Sequence, residues 1–322
     1  MRSFTAKQAY GNFIAISATL AVIGVFCASS SAAQAPASAQ KPSGAVFQAP
    51  GASIYYETLG GGNGTPLIVI NGGPGFDHTY LLGSNAWKAL GQKRKIIFYD
   101  QRGTGRSGPY KAEQSYTVND QISDLEALRA QLGIERADFL GHSWGGFLAM
   151  AYGAKYPQHV AHLILVDSVP AKWSEINSIY GQVFPDVTAQ LAELNERAQK
   201  GDAAAGAQGL RDFLGMLFYS PEKRDEFLAR FSADSVSNEV SRAVHEDVEK
   251  IDLEPKIAEF AFPTLVANGR FDTDITPENA LKLSKQIPHS KFLIFERSGH
   301  LPFIEEPEEF ARAVDNFLAA AK

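Results

Sequence analysis

The segment Gly141-His142-Ser143-Trp144-Gly145 constrains this chain more than any other. It is a G-x-S-x-G pattern set between an apolar run at residues 137–140 and a helical pattern at 146–156. A strand that ends, turns sharply and starts a helix needs small residues at the turn, and it pushes the central side chain out at the edge of a sheet. The first N–H groups of the helix then face any negative charge that develops there. The pattern predicts Ser143 as a nucleophile on a strand–helix elbow, with the Trp144 N–H as an oxyanion donor.

The rest of the chain supplies the sheet that such an elbow needs. Residues 53–58 predict a strand. The runs 67–70, 96–99, 137–140, 163–166, 264–267 and 292–295 are short, apolar and mostly unalternating, as strands covered on both faces are. Val118, Ile122, Leu125, Leu128 and Leu132 recur at helical spacing, with Thr117 placed to cap that helix and Gly133 to end it. This alternation predicts an α/β fold with a mostly parallel sheet flanked by helices. The alternation breaks over 171–259, where helical patterns at 187–199 and 236–250 come without a buried strand. A helical cap inserted between two sheet strands accounts for this, with the Ala/Gly-rich stretch 201–209 expected as a loop. The core is then 46–170 and 260–322.

The N-terminus reads differently. Arg2 and Lys7, an apolar run at 13–26 and small residues at 28–33 form the three-part pattern of a secretory signal peptide over 1–33, with cleavage expected after Ala33. The run falls short of the roughly 20 residues a membrane span requires. Cys27 is the only cysteine and the site a lipoprotein anchor would use, but the bulky Phe26 before it argues against that. Cleavage removes Cys27, so the mature protein is expected to have neither a disulfide nor a Cys nucleophile. An exported, periplasmic or secreted protein fits this pattern, with no stable membrane insertion after cleavage. Residues 34–45, rich in Ala, Pro, Ser and Gln, read as a disordered tether. A formal net charge of −6 argues against a nucleic-acid partner, which calls for basic excess. No cluster has metal-ligand spacing, and no metal or other cofactor is expected.

A serine hydroxyl needs a base, and the base needs an orienting acid. Of seven histidines, His300 is the candidate base: it sits in Ser298-Gly299-His300, just beyond the strand at 292–295, where this architecture builds its sites. His142 adjoins the serine but faces the wrong way. The acid should follow the strand at 264–267, where Gly269-Arg270-Phe271-Asp272 offers Asp272; Asp274 and Asp167 are its competitors. A second oxyanion donor is expected from Asn71-Gly72-Gly73-Pro74-Gly75, with the Gly73 N–H as candidate. The run Asp100-Gln101-Arg102-Gly103-Thr104-Gly105-Arg106-Ser107 lacks the Gly-Lys-Ser/Thr ending of a phosphate-binding loop. It reads as a structural loop in which Asp100 and Arg102 pair.

Taken together these motifs, with His78, Tyr80-Leu81 and Gly146 beside them, resemble the prolyl aminopeptidase (proline iminopeptidase) branch of the α/β-hydrolases over about residues 46–321. The resemblance implies an α/β-hydrolase fold, Ser143, Asp272 and His300 as triad, and Gly73 and Trp144 as oxyanion donors. It also implies a small-molecule or short-peptide substrate cleaved through an acyl-enzyme. Two departures stand out. Asn71 replaces the His usual before Gly-Gly-Pro-Gly. The cap lacks the Trp-x-x-Trp-Glu pattern common where the family's cap glutamates hold the substrate amine. Glu175, Glu193, Glu196, Glu239 and Glu246 could each offer a carboxylate. A carboxylesterase or lactonase with the same triad, and a non-catalytic ligand-binding protein of the same fold, are the alternatives. Relatives with Asp at the elbow, the dehalogenases and epoxide hydrolases, are disfavoured by Ser143.

Overall fold

A computed structural model of the chain describes residues 43–320. The expected signal segment with Cys27, and residues 34–42 of the expected tether, lie outside the described residues. Among the described residues no helix is long and apolar enough to cross a membrane.

Eight strands form one sheet: β1 (Ser43–Ala49), β2 (Ala52–Leu59), β3 (Gly64–Ile70), β4 (Arg94–Tyr99), β5 (Ala137–His142), β6 (Val160–Val166), β7 (Thr264–Gly269) and β8 (Lys291–Phe295). Their order across the sheet is β1-β2-β4-β3-β5-β6-β7-β8. From β4 to β8 every neighbouring pair is parallel, and the β1–β2 hairpin adds two antiparallel strands at one edge. Each predicted strand is present. β1 is an addition: it begins at Ser43, inside the stretch read as tether. Its residues are largely exposed because it covers the edge of the sheet rather than lying inside it, so it lacks the apolar signature of the inner strands.

Helices cover both faces: α1 (Ala86–Gly91), α2 (Val118–Gln131), α3 (Trp144–Lys155), and, after the intervening cap, α10 (Pro277–Gln286), α11 (Pro302–Glu305) and α12 (Pro307–Ala320). Successive residues of the inner strands point to opposite faces. Ile68 and Ile70 of β3 therefore join a core with Leu125, Phe147 and Tyr152, while Leu67 and Val69 join one with Trp87, Phe303 and Phe310. Thr117 caps α2 as expected, in a reciprocal capping box with Asp120.

Between β6 and β7 the chain leaves the sheet and forms α4 (Tyr180–Val183), α5 (Pro185–Gln199), α6 (Ala203–Gly215), α7 (Pro221–Arg230), α8 (Asn238–Val248) and α9 (Glu254–Ile257). Helix α6 overturns the loop expected at 201–209. The Asp202 side chain caps it, accepting the Ala205 N–H at 3.0 Å, and it packs along α5. Small residues let the two helices approach closely, so tertiary contact outweighs the low helix propensity of glycine.

Strand order reverses between β3 and β5. Parallel α/β sheets open a crevice at such a point, at the carboxyl ends of the strands. Ile70 pairs with Gly141 across it, so the glycine-rich loop after β3 and the elbow after β5 leave the sheet side by side.

Candidate active site

The elbow is tightly packed. Ser143 has φ 56 and ψ −122, a strained conformation for a residue with a side chain. Its N–H donates to the Val166 carbonyl at 3.0 Å and its carbonyl accepts the Gly146 N–H at 2.9 Å. A Cβ on Gly145 would stand 2.2 Å from the Ile70 carbonyl oxygen, and one on Gly141 would stand 2.3 Å from that of Gly145. Glycine at both positions is what lets β3, β5 and α3 converge here.

The candidate base and acid meet although 28 positions separate them: His300 Nδ1 lies 2.6 Å from Asp272 Oδ2. The second Asp272 oxygen accepts the N–H groups of Asp274 at 2.9 Å and Ile275 at 3.0 Å, which fixes the carboxylate. With Nδ1–H donating to Asp272, Nε2 keeps its lone pair. Burial alone would lower the His300 pKa; the charge and hydrogen bond of Asp272 outweigh it, and the imidazole stands above its ordinary 6.5. Ser143 and His300 line the same cavity without a hydrogen bond between their side chains in this arrangement. Contacts of this kind often tighten only when substrate binds.

The competing acids are accounted for differently. Asp274 donates its N–H to Asp272 and stands at the cavity wall. Asp167 is fully buried at φ 45 beyond β6, where its Oδ1 accepts the Gly269 N–H at 2.8 Å. Burial, and next the charge of Asp272, push its carboxyl well above the usual range. Among the described residues, Asp167, Asp272 and His300 place ligand atoms within 4.8 Å of one another and form the group that could hold a metal. The Asp272 oxygens are already engaged by His300 and two N–H groups.

The loop after β3 is held from several sides. The Asn71 amide donates to the Phe76 carbonyl at 2.7 Å. Gln101 donates to the Asn71 carbonyl at 2.9 Å and accepts the Trp144 indole N–H at 2.9 Å, joining this loop to the elbow. The Gly72 N–H is engaged by the Tyr80 hydroxyl at 2.6 Å. Gly73, at φ 129, is the next residue and lines the cavity. Gln101 and Tyr80 had no assigned role in the sequence reading; only their non-local partners reveal one.

The expected Asp100–Arg102 pair does not form. Asp100 takes the His78 ring Nδ1 at 2.6 Å together with the N–H groups of His78 and Arg106. Arg102 directs its fork at the two oxygens of Asp124, at 2.6 and 2.8 Å. A planar guanidinium is best matched by a carboxylate with both oxygens open to it, and Asp100 has already committed its own.

The cap closes over this arrangement. Ser237 N–H donates to the Gly75 carbonyl at 2.8 Å, and Asp77 N–H donates to the Ser235 carbonyl at 2.9 Å. The cavity beneath it is about 810 Å³ and has a largely apolar wall that includes Phe213, Leu214, Leu217 and Phe227. Of the five cap glutamates named as candidates, Glu239 alone lines it. Glu175 pairs with Lys282 and Glu196 with Lys200 on the surface; Glu193 and Glu246 are exposed. Among the described residues Glu239 has no ion pair or hydrogen-bond partner for its carboxylate.

A mostly parallel sheet, an elbow at its switch point and a buried His–Asp pair beyond the last strands define an α/β hydrolase. The chain belongs to the alpha/beta hydrolase fold family, which matches it over residues 65–307. Curated relatives include a proline iminopeptidase from Heyndrickxia coagulans, 32% identical over 80% of this chain and 91% of the relative. Another, from Lactiplantibacillus plantarum, is 31% identical over 84% of this chain and 98% of the relative. Among solved structures, an esterase from Rhodococcus sp. ECU1013 matches with a TM-score of 0.71 at 22% identity, over 88% of this chain and 100% of that one. An enol-lactonase from Burkholderia xenovorans LB400 matches with a TM-score of 0.67 at 22% identity, over 85% and 100%. At these identities the structural likeness is one of fold.

Proposed function

We propose that this protein is a serine aminopeptidase that releases an N-terminal residue, proline among them, from short peptides through an acyl-enzyme. The carrying observation is the unpaired Glu239 carboxylate in the wall of the cavity that also holds Ser143 and His300. A half-buried carboxylate with no internal partner in a largely apolar cavity is suited to a substrate ammonium group. The naming of relatives as proline iminopeptidases supports the same reading.

In this mechanism Ser143 Oγ attacks the carbonyl carbon as its proton passes to His300 Nε2. Asp272 holds the imidazole in the required tautomer and stabilises the cation that forms. The Gly73 and Trp144 N–H groups receive the oxyanion. The C–N bond breaks as His300 returns the proton to the leaving amine. Water, deprotonated in turn by His300, cleaves the acyl-enzyme and restores Ser143.

Turnover of prolyl and alanyl naphthylamides, their N-acetylated forms and p-nitrophenyl acetate tests this. The free-amine amides should be cleaved and the N-acetylated ones should not. Glu239→Gln should raise KM for the free-amine amides about tenfold or more, the scale of a lost charge-assisted contact, and leave KM for the ester unchanged. Turnover of the ester with none of the amides points instead to a carboxylesterase or lactonase, the second reading, which the apolar cavity wall favours. Cleavage of an export signal after Ala33 is part of the proposal: a mature N-terminus at Gln34, read by mass, supports it, and an intact Met1 or Arg2 terminus contradicts cleavage and leaves a retained N-terminal anchor as the alternative.

A further inference from the structure

His142 stands on the elbow between Gly141 and Ser143, is 3% exposed, and has a defined partner on each ring nitrogen. Nε2 lies 2.8 Å from the His300 carbonyl oxygen. A carbonyl only accepts, so Nε2 carries the proton. Burial, and next the neighbouring His300, push the His142 pKa well down, so the ring is neutral and Nδ1 accepts. The Tyr80 hydroxyl is 2.7 Å from Nδ1 and therefore donates to it. That leaves the Tyr80 oxygen to accept the Gly72 N–H at 2.6 Å. The result is one directional chain, from Gly72 N–H through the Tyr80 hydroxyl and the His142 ring to the carbonyl of His300.

Apart from Tyr80, which links the other members, each belongs to or adjoins a residue of the proposed chemistry: Gly72 precedes Gly73, His142 precedes Ser143, and the chain ends on His300 itself. We propose that Tyr80 and His142 are positioning residues that set the oxyanion loop against the base loop, so that Gly73 N–H and His300 Nε2 are in register across Ser143. This rests on the catalytic assignment under Proposed function. Neither ring is needed to exchange a proton with substrate. The Tyr80 ring packs on Phe76 and Phe303, so removing only its hydroxyl keeps the packing and breaks the chain. A displacement of the order of 1 Å at a reacting group can reduce rate about 100-fold.

The test uses the full chain and its Tyr80→Phe variant. The readouts are the rate of labelling by a fluorophosphonate probe, kcat and KM on p-nitrophenyl acetate and alanyl p-nitroanilide, and thermal unfolding. Labelling rate and kcat should fall together by about 10- to 100-fold, with KM within about threefold, beside a modest fall in unfolding temperature because the buried Gly72 N–H and His142 Nδ1 lose their partner. Labelling of Tyr80→Phe at the wild-type rate overturns the proposal, as does a loss confined to unfolding temperature. A second measurement needs no variant. In wild-type protein labelled with ¹⁵N-histidine, His142 should be the neutral Nε2–H tautomer with Nδ1 accepting; a cation or the Nδ1–H tautomer overturns the proposal. A wild-type protein that the probe does not label contradicts the serine mechanism, and the tautomer then judges the positioning chain separately.

Discussion

Glu305 accepts the N–H of Gly299, the residue before His300, at 2.6 Å. Its other oxygen accepts the N–H groups of Tyr219 at 2.9 Å and Ser220 at 2.7 Å, both in the cap. The His300 N–H donates to the cap carbonyl of Leu217 at 2.7 Å. The base loop is thus bonded to the cap as well as to the core, through a carboxyl that burial pushes up to about 7 against the pull of its three N–H donors.

Glu305→Ala should leave those three N–H groups without their acceptor. Loss of stability of about 2–4 kcal/mol in urea unfolding is expected. A fall in kcat of tenfold or more should accompany it, because His300 loses its lateral support. Unchanged kcat would mean that the base loop holds its place without the clasp.

The pH profile follows from His300. The mechanism uses the neutral imidazole, whose pKa Asp272 raises above 6.5 against the opposing effect of burial. The kcat/KM of the free enzyme should therefore decline as pH falls, with an acid limb above the ordinary histidine value. A profile flat down to pH 5 would exclude His300 as the base.

Asp272 and Asp167 should separate cleanly. Asp272→Asn should reduce kcat by about 10⁴, the scale seen when a triad imidazole loses its orienting carboxylate. Asp167→Asn should reduce it less than about tenfold, since an amide oxygen can still accept the Gly269 N–H. Steady-state kinetics on one good substrate distinguishes them.

His78 makes a second, structural pH prediction. Burial would lower its pKa, but hydrogen bonds and charges from Asp100 and Glu57 push it up to about 9. The unfolded chain releases this proton near 6.5 and the folded one only near 9, so the contribution is complete below about 6.5 and is lost as pH rises through about 9. About 3 kcal/mol is involved at full effect. Urea midpoints should fall between pH 6.5 and 9.5, and His78→Gln should be less stable and should lack most of that slope.

Local signals carried most of the fold. The inner strands announced themselves by short apolar runs, and Thr117 by its place before an amphipathic pattern. The candidates Ser143, Asp272 and His300 could be picked from the sequence because each sits just beyond a recognisable strand. What escaped depends on partners distant in the chain. Strand β1 is exposed and pairs at an edge. Helix α6 owes its existence to α5 and to the Asp202 cap. Asp100 chose His78 over Arg102 because three donors converge on it. Glu239 could not be picked from five cap glutamates by spacing, since only the folded cap turns it into the cavity. The Tyr80–His142–His300 connection joins residues 80, 142 and 300, and no window of sequence contains it.

The central claim is that Ser143 is the atom donor of a covalent intermediate, and peptide mapping by mass spectrometry after fluorophosphonate treatment tests it most directly. The account predicts a single phosphonyl group on the peptide carrying Ser143 and none on the Ser143→Ala protein. A modification at another residue, or an equal modification of the Ser143→Ala protein, would contradict it.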